Sequence, residues 1–176
     1  MAEEGQHMTT KNIYIDWDGP YTLDELEELD DPRIDYGLYQ VYGSHPLYGD
    51  EVLLYLGATG ERTFGARLAE EQSYWEVEED FQPLVIYVGR LMGVVTPTNG
   101  VWEEEMDLAL RLLVYAHAPV FNAREVAALP DDDLRNVHVV NWGEFLDLAP
   151  EVSGRRYLYK FPDTPEYSYY GKQGEH

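Results

Sequence analysis

Two tyrosines, one arginine and one asparagine mark apolar fragments in a fixed order. Tyr39 ends Gly37-Leu38-Tyr39, Tyr55 opens Tyr55-Leu56-Gly57, Arg67 lies early in a helical pattern, and Asn122 ends Ala118-Pro119-Val120-Phe121-Asn122. A guanidinium grips phosphate or carboxylate oxygens through two parallel donors, and an amide both donates and accepts. A phenol has a pKa of about 10, so it acts as a base near neutrality only where a cation lowers that value. Taken singly, each residue also has a plainer role. The tyrosine fragments are ordinary strand sequence ending in a turn glycine. Arg67 is a helical i to i+4 partner for Glu71, and Asn122 is an N-cap for a helix that follows. The chain has no cysteine, which removes thiolate metal sites and disulfides. His45 and His138 have no metal-ligand spacing with any partner, and His117 reads as half-buried after a helix.

Strands must carry the tyrosines. Residues 37–42 and 52–57 are rich in Tyr, Leu and Val, and the Gly- and Pro-bearing stretch between them predicts an antiparallel hairpin. A helix capped by Thr63 and running toward Trp75 puts Arg67 one turn in. The nearly continuous apolar run 84–91 predicts a third strand in the middle of a sheet, and its Tyr87-Val88-Gly89 reads as core. Residues 101–115 carry the longest helical pattern. Trp102, Met106, Ala109, Leu110, Leu113 and Ala116 form its stripe, and Glu103, Glu104 and Glu105 sit in the first turn, where the helix dipole favours acid. Around this core the sequence predicts a strand at 12–16 with a turn at Gly19-Pro20, and a helix from Thr22 to Leu29 opened by a Thr22/Glu25 capping box. It further predicts a short helix at 122–129, a strand at 137–141 and a helical turn at 142–148. The expected architecture is α+β: a small, mostly antiparallel three-stranded sheet flanked by the 63–75 and 102–116 helices. Residues 1–11 read as a disordered tail, 12–150 as a single domain, and 151–176 as a Tyr-rich extension packed on the core or partly disordered.

In order and spacing, residues 36–122 resemble the GIY-YIG nuclease family. The resemblance implies Mg²⁺-dependent cleavage of DNA phosphodiesters. In it Tyr39 would hold or deprotonate the attacking water, Tyr55 would assist by hydrogen bonding, Arg67 would clamp the phosphate, and Asn122 would fix the helix and site geometry. It also implies a metal-binding glutamate on the second helix and, in many relatives, a histidine one turn after the arginine. Counted back from Asn122, the glutamate position is Leu110, and the histidine position in Arg67-Leu68-Ala69-Glu70-Glu71 is an acid. A relocated metal site would draw on Asp107 and Glu71, with Asp107 displaced about 4.5 Å along the helix from Leu110. Two functions follow. One is a Mg²⁺-dependent endonuclease with a relocated carboxylate. The other, which Leu110, Glu71 and the charge favour, is a non-catalytic interaction module that keeps the fold.

The charge bears on both. Thirty-four acidic against twelve basic residues give a formal charge of −22 over 176 residues, spread along the whole chain. Such a field repels DNA unless a basic patch or metal ions intervene. With lysine only at 11, 160 and 172, the composition also resembles proteins of a salt-rich cytoplasm, where a Debye length of about 3 Å near molar salt removes the repulsion. A third reading is an acidic surface that mimics a nucleic acid or meets a basic protein partner. The apolar runs fall short of the roughly 20 residues that a membrane span needs, and no signal pattern opens the chain. These features predict a cytoplasmic protein with no membrane partner.

Overall fold

A computed structural model of the chain describes residues 10–75, 83–93, 101–122 and 132–158. Of the expected tail at 1–11, helix at 122–129 and extension at 151–176, residues 1–9, 123–129 and 159–176 lie outside the described residues, while Lys11 already opens a strand and 151–158 form a strand and a short helix. The fold is α+β, but its sheet has six strands in mixed orientation, in the order β3-β2-β4-β1-β5-β6. The strands are β1 (Lys11–Tyr21), β2 (Leu38–His45), β3 (Gly49–Ala58), β4 (Val85–Leu91), β5 (Val137–Gly143) and β6 (Glu151–Ser153). The helices are α1 (Phe64–Trp75), α2 (Val101–His117) and α3 (Gly154–Leu158), with 3₁₀ helices at Leu23–Leu29 and Asp132–Asn136. Among the described residues no helix is long and apolar enough to cross a membrane.

The three-stranded expectation is therefore corrected, and the reason lies in β1. Its alternation continues past Asp16, because Ile13, Ile15 and Trp17 are all buried while the residues between them are exposed. The strand runs through Gly19-Pro20, a cis peptide, with a register shift between Asp18 and Tyr21 instead of a chain reversal. It pairs antiparallel with β4 and parallel with β5, joining the hairpin half of the sheet to the C-terminal half. Trp17 anchors the junction: its indole donates to Asn141 Oδ1 at 2.9 Å, and the Asn141 amide donates to the Ala149 carbonyl at 2.7 Å. Residues 142–148 are correspondingly the end of β5 and a turn, not a helical turn. Likewise 23–29 is a 3₁₀ helix; Leu23, Leu26 and Leu29 repeat every three residues, which stacks side chains in a three-residue turn.

Two apolar clusters lie on opposite faces of the sheet. α2 packs over one with Met106, Ala109, Leu112 and Leu113, against Ile13, Ile15, Trp17 and Leu38. α1 and the first 3₁₀ helix cover the other with Phe64, Leu68, Leu26 and Leu29, against Tyr39, Val41, Ile86 and Val88. Beneath the start of α1, buried Asp35 accepts from Arg90 Nη2 at 2.7 Å, and its carbonyl receives the Phe64 N–H at 2.8 Å. The outer edge of β3 is closed by the chain after α2. Phe121 N donates to Leu54 O at 2.8 Å, and the Asn122 side chain accepts from Leu56 N at 2.9 Å and donates to Leu56 O at 3.0 Å. This amide replaces a partner strand at an edge that would otherwise present unpaired peptide groups.

Candidate functional site

The tyrosine hairpin and α1 build one polar cluster inside the second apolar layer. Tyr39 lies opposite Gly57 across the β2–β3 ladder. A Cβ on Gly57 would overlap the Tyr39 ring and hydroxyl, so the glycine of Tyr55-Leu56-Gly57 is the space that the Tyr39 ring fills. Gly37 is needed for a different reason: its φ is +149°, and a Cβ there would overlap the Gly89 carbonyl of β4. With both glycines in place, Tyr39 is fully buried and its ring meets Tyr55 at 6.0 Å between centroids, tilted by 45°.

The Tyr39 hydroxyl donates to Glu71 Oε2 at 2.7 Å, and Glu71 Oε1 takes Arg67 Nη2 at 2.7 Å. Thr63 caps α1 by accepting the Ala66 N–H at 3.3 Å, so both charged residues extend from the first two turns of a well-started helix. Burial first, and the Glu71 carboxylate second, push the Tyr39 phenol well above its ordinary value. The Tyr39 oxygen, then Glu71, hold Arg67 more firmly protonated than a free guanidinium. The phenol is thus a fixed donor to a carboxylate, the reverse of what a base requires.

The structure brings Tyr39, Tyr55, Arg67 and Glu71 together, but not Asp107. Asp107 is on α2, across the sheet from Glu71. It pairs with Arg111 at 2.9 Å, and Arg111 also takes Asp133 at 2.6 Å. Glu71 and Asp107 thus lie on opposite faces of the sheet, each in its own ion pair. Leu110 is partly buried in the α2 layer and offers no donor atom. Asn122 stands apart from the cluster, holding the Leu56 peptide between Tyr55 and Gly57. Among the described residues no three acidic or imidazole side chains are placed to hold a cation. The residues do not fit Mg²⁺: the one carboxylate at Tyr39 already spends one oxygen on a guanidinium and the other on a hydroxyl.

A cavity of about 860 Å³ opens on the other face, between the β2–β3 hairpin and the turn after β5, lined by Tyr42, Tyr87, Asp50, Glu51, Leu146 and Asp147. Tyr42 and Tyr87 meet edge to face at 5.8 Å, and the Tyr42 hydroxyl donates to buried Gln40 at 3.0 Å. Sequence reasoning passed over this cavity because two of its walls, at 42–51 and at 146–147, are about 95 to 105 residues apart in the chain. Comparison with protein-family models, curated proteins and solved structures finds no match to this chain.

Proposed function

We propose that this protein is a non-catalytic module with a GIY-YIG-like arrangement of hairpin and arginine helix, presenting an acidic surface to a basic protein partner. One observation carries the reading: Glu71 occupies both the hydroxyl of Tyr39 and the guanidinium of Arg67, the two groups a phosphodiesterase of this type would turn toward water and phosphate. With Leu110 in the position the resemblance gives to the metal-binding glutamate, no described group is placed to hold the Lewis acid that would lower the phenol pKa or neutralise a leaving oxygen.

The surface supports the second half of the reading. Lys11, Arg33, Arg62, Arg67, Arg90 and Arg111 each meet a carboxylate within the molecule. Internal pairing spends these cations, so the −22 formal charge is expressed as a field of exposed carboxylates. That field attracts a basic polypeptide and disfavours DNA.

The test is a nuclease assay on single- and double-stranded DNA with Mg²⁺ and with Mn²⁺, at low and at molar salt, beside a binding titration with a lysine- and arginine-rich peptide. The expected result is no cleavage under any condition and peptide binding that weakens as salt rises. Metal-dependent cleavage abolished by both Arg67→Ala and Tyr39→Phe would replace this reading with the endonuclease one.

A further inference from the structure

The helices leave part of the sheet uncovered. α1 and the first 3₁₀ helix lie over the β3-β2-β4 half of their face, and no described element lies over the β1-β5-β6 half of it. The ladder registers set out what that bare half presents. Tyr14 is opposite Val140, Val140 is opposite Glu151, and Asp16 is opposite Trp142. On the other side of Tyr14, Met92 donates its N–H to the Tyr14 carbonyl at 2.8 Å. Tyr14 is 42%, Met92 52% and Trp142 55% exposed. An open face of an antiparallel or mixed sheet ordinarily alternates to polar residues. Here two large aromatics, a methionine and a valine form a strip on strands that no described element covers, and such strips mark contact surfaces.

We propose that this bare half-face is the docking surface for an arginine-bearing segment of a basic polypeptide. The proposal rests on the interaction-module reading and names its site. A guanidinium stacks on an aromatic face while pairing with a carboxylate, and it sheds water more readily than an ammonium. Trp142 and Asp16, as ladder neighbours about 5 Å apart, offer the ring and the charge together, and Glu151, whose Oε2 lies 3.6 Å from His138 Nε2, offers a second carboxylate beside Val140. Arg90, the ladder neighbour of Asp16 on β4, is committed to Asp18 at 3.3 Å and Asp35 at 2.7 Å. A second copy of this chain would bring the same carboxylates against themselves. A single-stranded nucleic acid could stack on the rings but would set its phosphates against Asp16 and Glu151.

The experiment is fluorescence anisotropy of labelled nona-arginine and nona-lysine peptides against the full chain at about 0.15 M salt, with light scattering on the same samples. Trp142→Ser and Tyr14→Ser leave the formal charge unchanged, and both positions are exposed, so either gives a folded variant. Asp16→Asn is matched against Glu27→Gln, an equal charge change on the first 3₁₀ helix. The arginine probe binds about threefold to tenfold tighter than the lysine probe, and Trp142→Ser brings that ratio to about one. Tyr14→Ser lowers it in part, and Asp16→Asn weakens the arginine probe more than Glu27→Gln does. Equal binding of the two peptides by the unaltered protein, or a ratio that Trp142→Ser leaves unchanged, would overturn this site and leave the acidic module standing. Binding of neither peptide would overturn both. A dimer that Trp142→Ser dissociates, or an oligothymidylate that outcompetes the arginine probe, would assign the face to a second copy or to nucleic acid and overturn the proposal.

Discussion

If Glu71 is a structural partner of Tyr39 and Arg67, cutting either bond must cost stability, and the two costs must overlap. In Glu71→Ala the Tyr39 hydroxyl loses its acceptor in a fully buried position, which costs about 1–3 kcal/mol. The ion pair adds less, because the Arg67 side chain is 38% exposed and can turn to water; partly exposed pairs contribute roughly 0.2–1 kcal/mol. The sum is about 1–4 kcal/mol, which in a chain of this size lowers the melting temperature by about 2–16 °C. In Tyr39→Phe the carboxylate keeps Arg67, so the loss is about 1–2 kcal/mol. The double variant loses the hydroxyl–carboxylate bond once, and the cycle shows a coupling of about 1 kcal/mol. Urea unfolding of the four proteins measures all three quantities, with an unchanged m value showing that the denatured state is not what moved. A working active site holds its groups at the expense of stability. Single variants that are neutral or more stable than the parent, or a coupling near zero, would refute the structural role and restore Tyr39 and Arg67 as candidates for chemistry.

Three further outcomes follow from named contacts. The folded pKa of Tyr39 lies above the 10.0 of a free phenol, so its contribution is complete below about pH 10 and is lost as pH rises toward the folded value, at about 1.4 kcal/mol per pH unit. Tyr39→Phe removes that increment from the slope of unfolding free energy against pH, and an unchanged alkaline slope would show that the phenol is not buried. His117 donates from Nδ1 to the Leu113 carbonyl and accepts the Ala149 N–H at Nε2, each at 2.8 Å, and burial holds its pKa below 6.5. Its contribution is therefore complete above about pH 6.5 and lost as pH falls through the folded value, by up to about 1.4 kcal/mol per pH unit; His117→Gln flattens stability measured across that range. Asn122 separates two roles: Asp serves as well as Asn in an N-cap, but a carboxylate beside the Leu56 carbonyl cannot donate to it. Asn122→Asp is accordingly expected to cost at least as much as Asn122→Ala, about 2–4 kcal/mol for two buried bonds, and near-wild-type stability of Asn122→Asp by thermal melting would return the residue to the cap.

How far the sequence foretold the fold depended on the range of the interaction. The hairpin, α1, β4 and α2 each carry a local signal: Gly and Pro between two tyrosine strands, Thr63 ahead of an apolar-periodic run, and acids in the first turn of α2. The sheet was underestimated because its extra pairings are distant. β1 is parallel to β5 with Ile15 against Asn141, and nothing local announces that Trp17 finds its acceptor on Asn141. The Gly19-Pro20 dipeptide, an ordinary turn signal, was absorbed as an irregularity inside a strand because Tyr21 still pairs with Ile86 beyond it. For the site, the i to i+4 spacing of Arg67 and Glu71 was readable, whereas the bond from Tyr39 to Glu71 required knowing that β2 turns that ring toward α1. The separation of Glu71 from Asp107 was unreadable for the same kind of reason, since helical spacing says which residues share one helix face but not which side of the sheet each helix takes.

The acidity and the Tyr39 cluster are linked through the arginines. A chain with so few cations places Arg67 and Arg90 against the two buried ends of the α1 layer, one on Glu71 and one on Asp35, each carboxylate also receiving a second donor from β2 or from the loop before it. A buried or half-buried cation without such a partner is expensive, and a carboxylate that must neutralise a guanidinium is a poor ligand for a metal. The same pairing that makes Arg67 tolerable inside the fold therefore withdraws it from phosphate. On the interaction-module reading, the exposed carboxylates, free of that duty, set the sign of the partner proposed above.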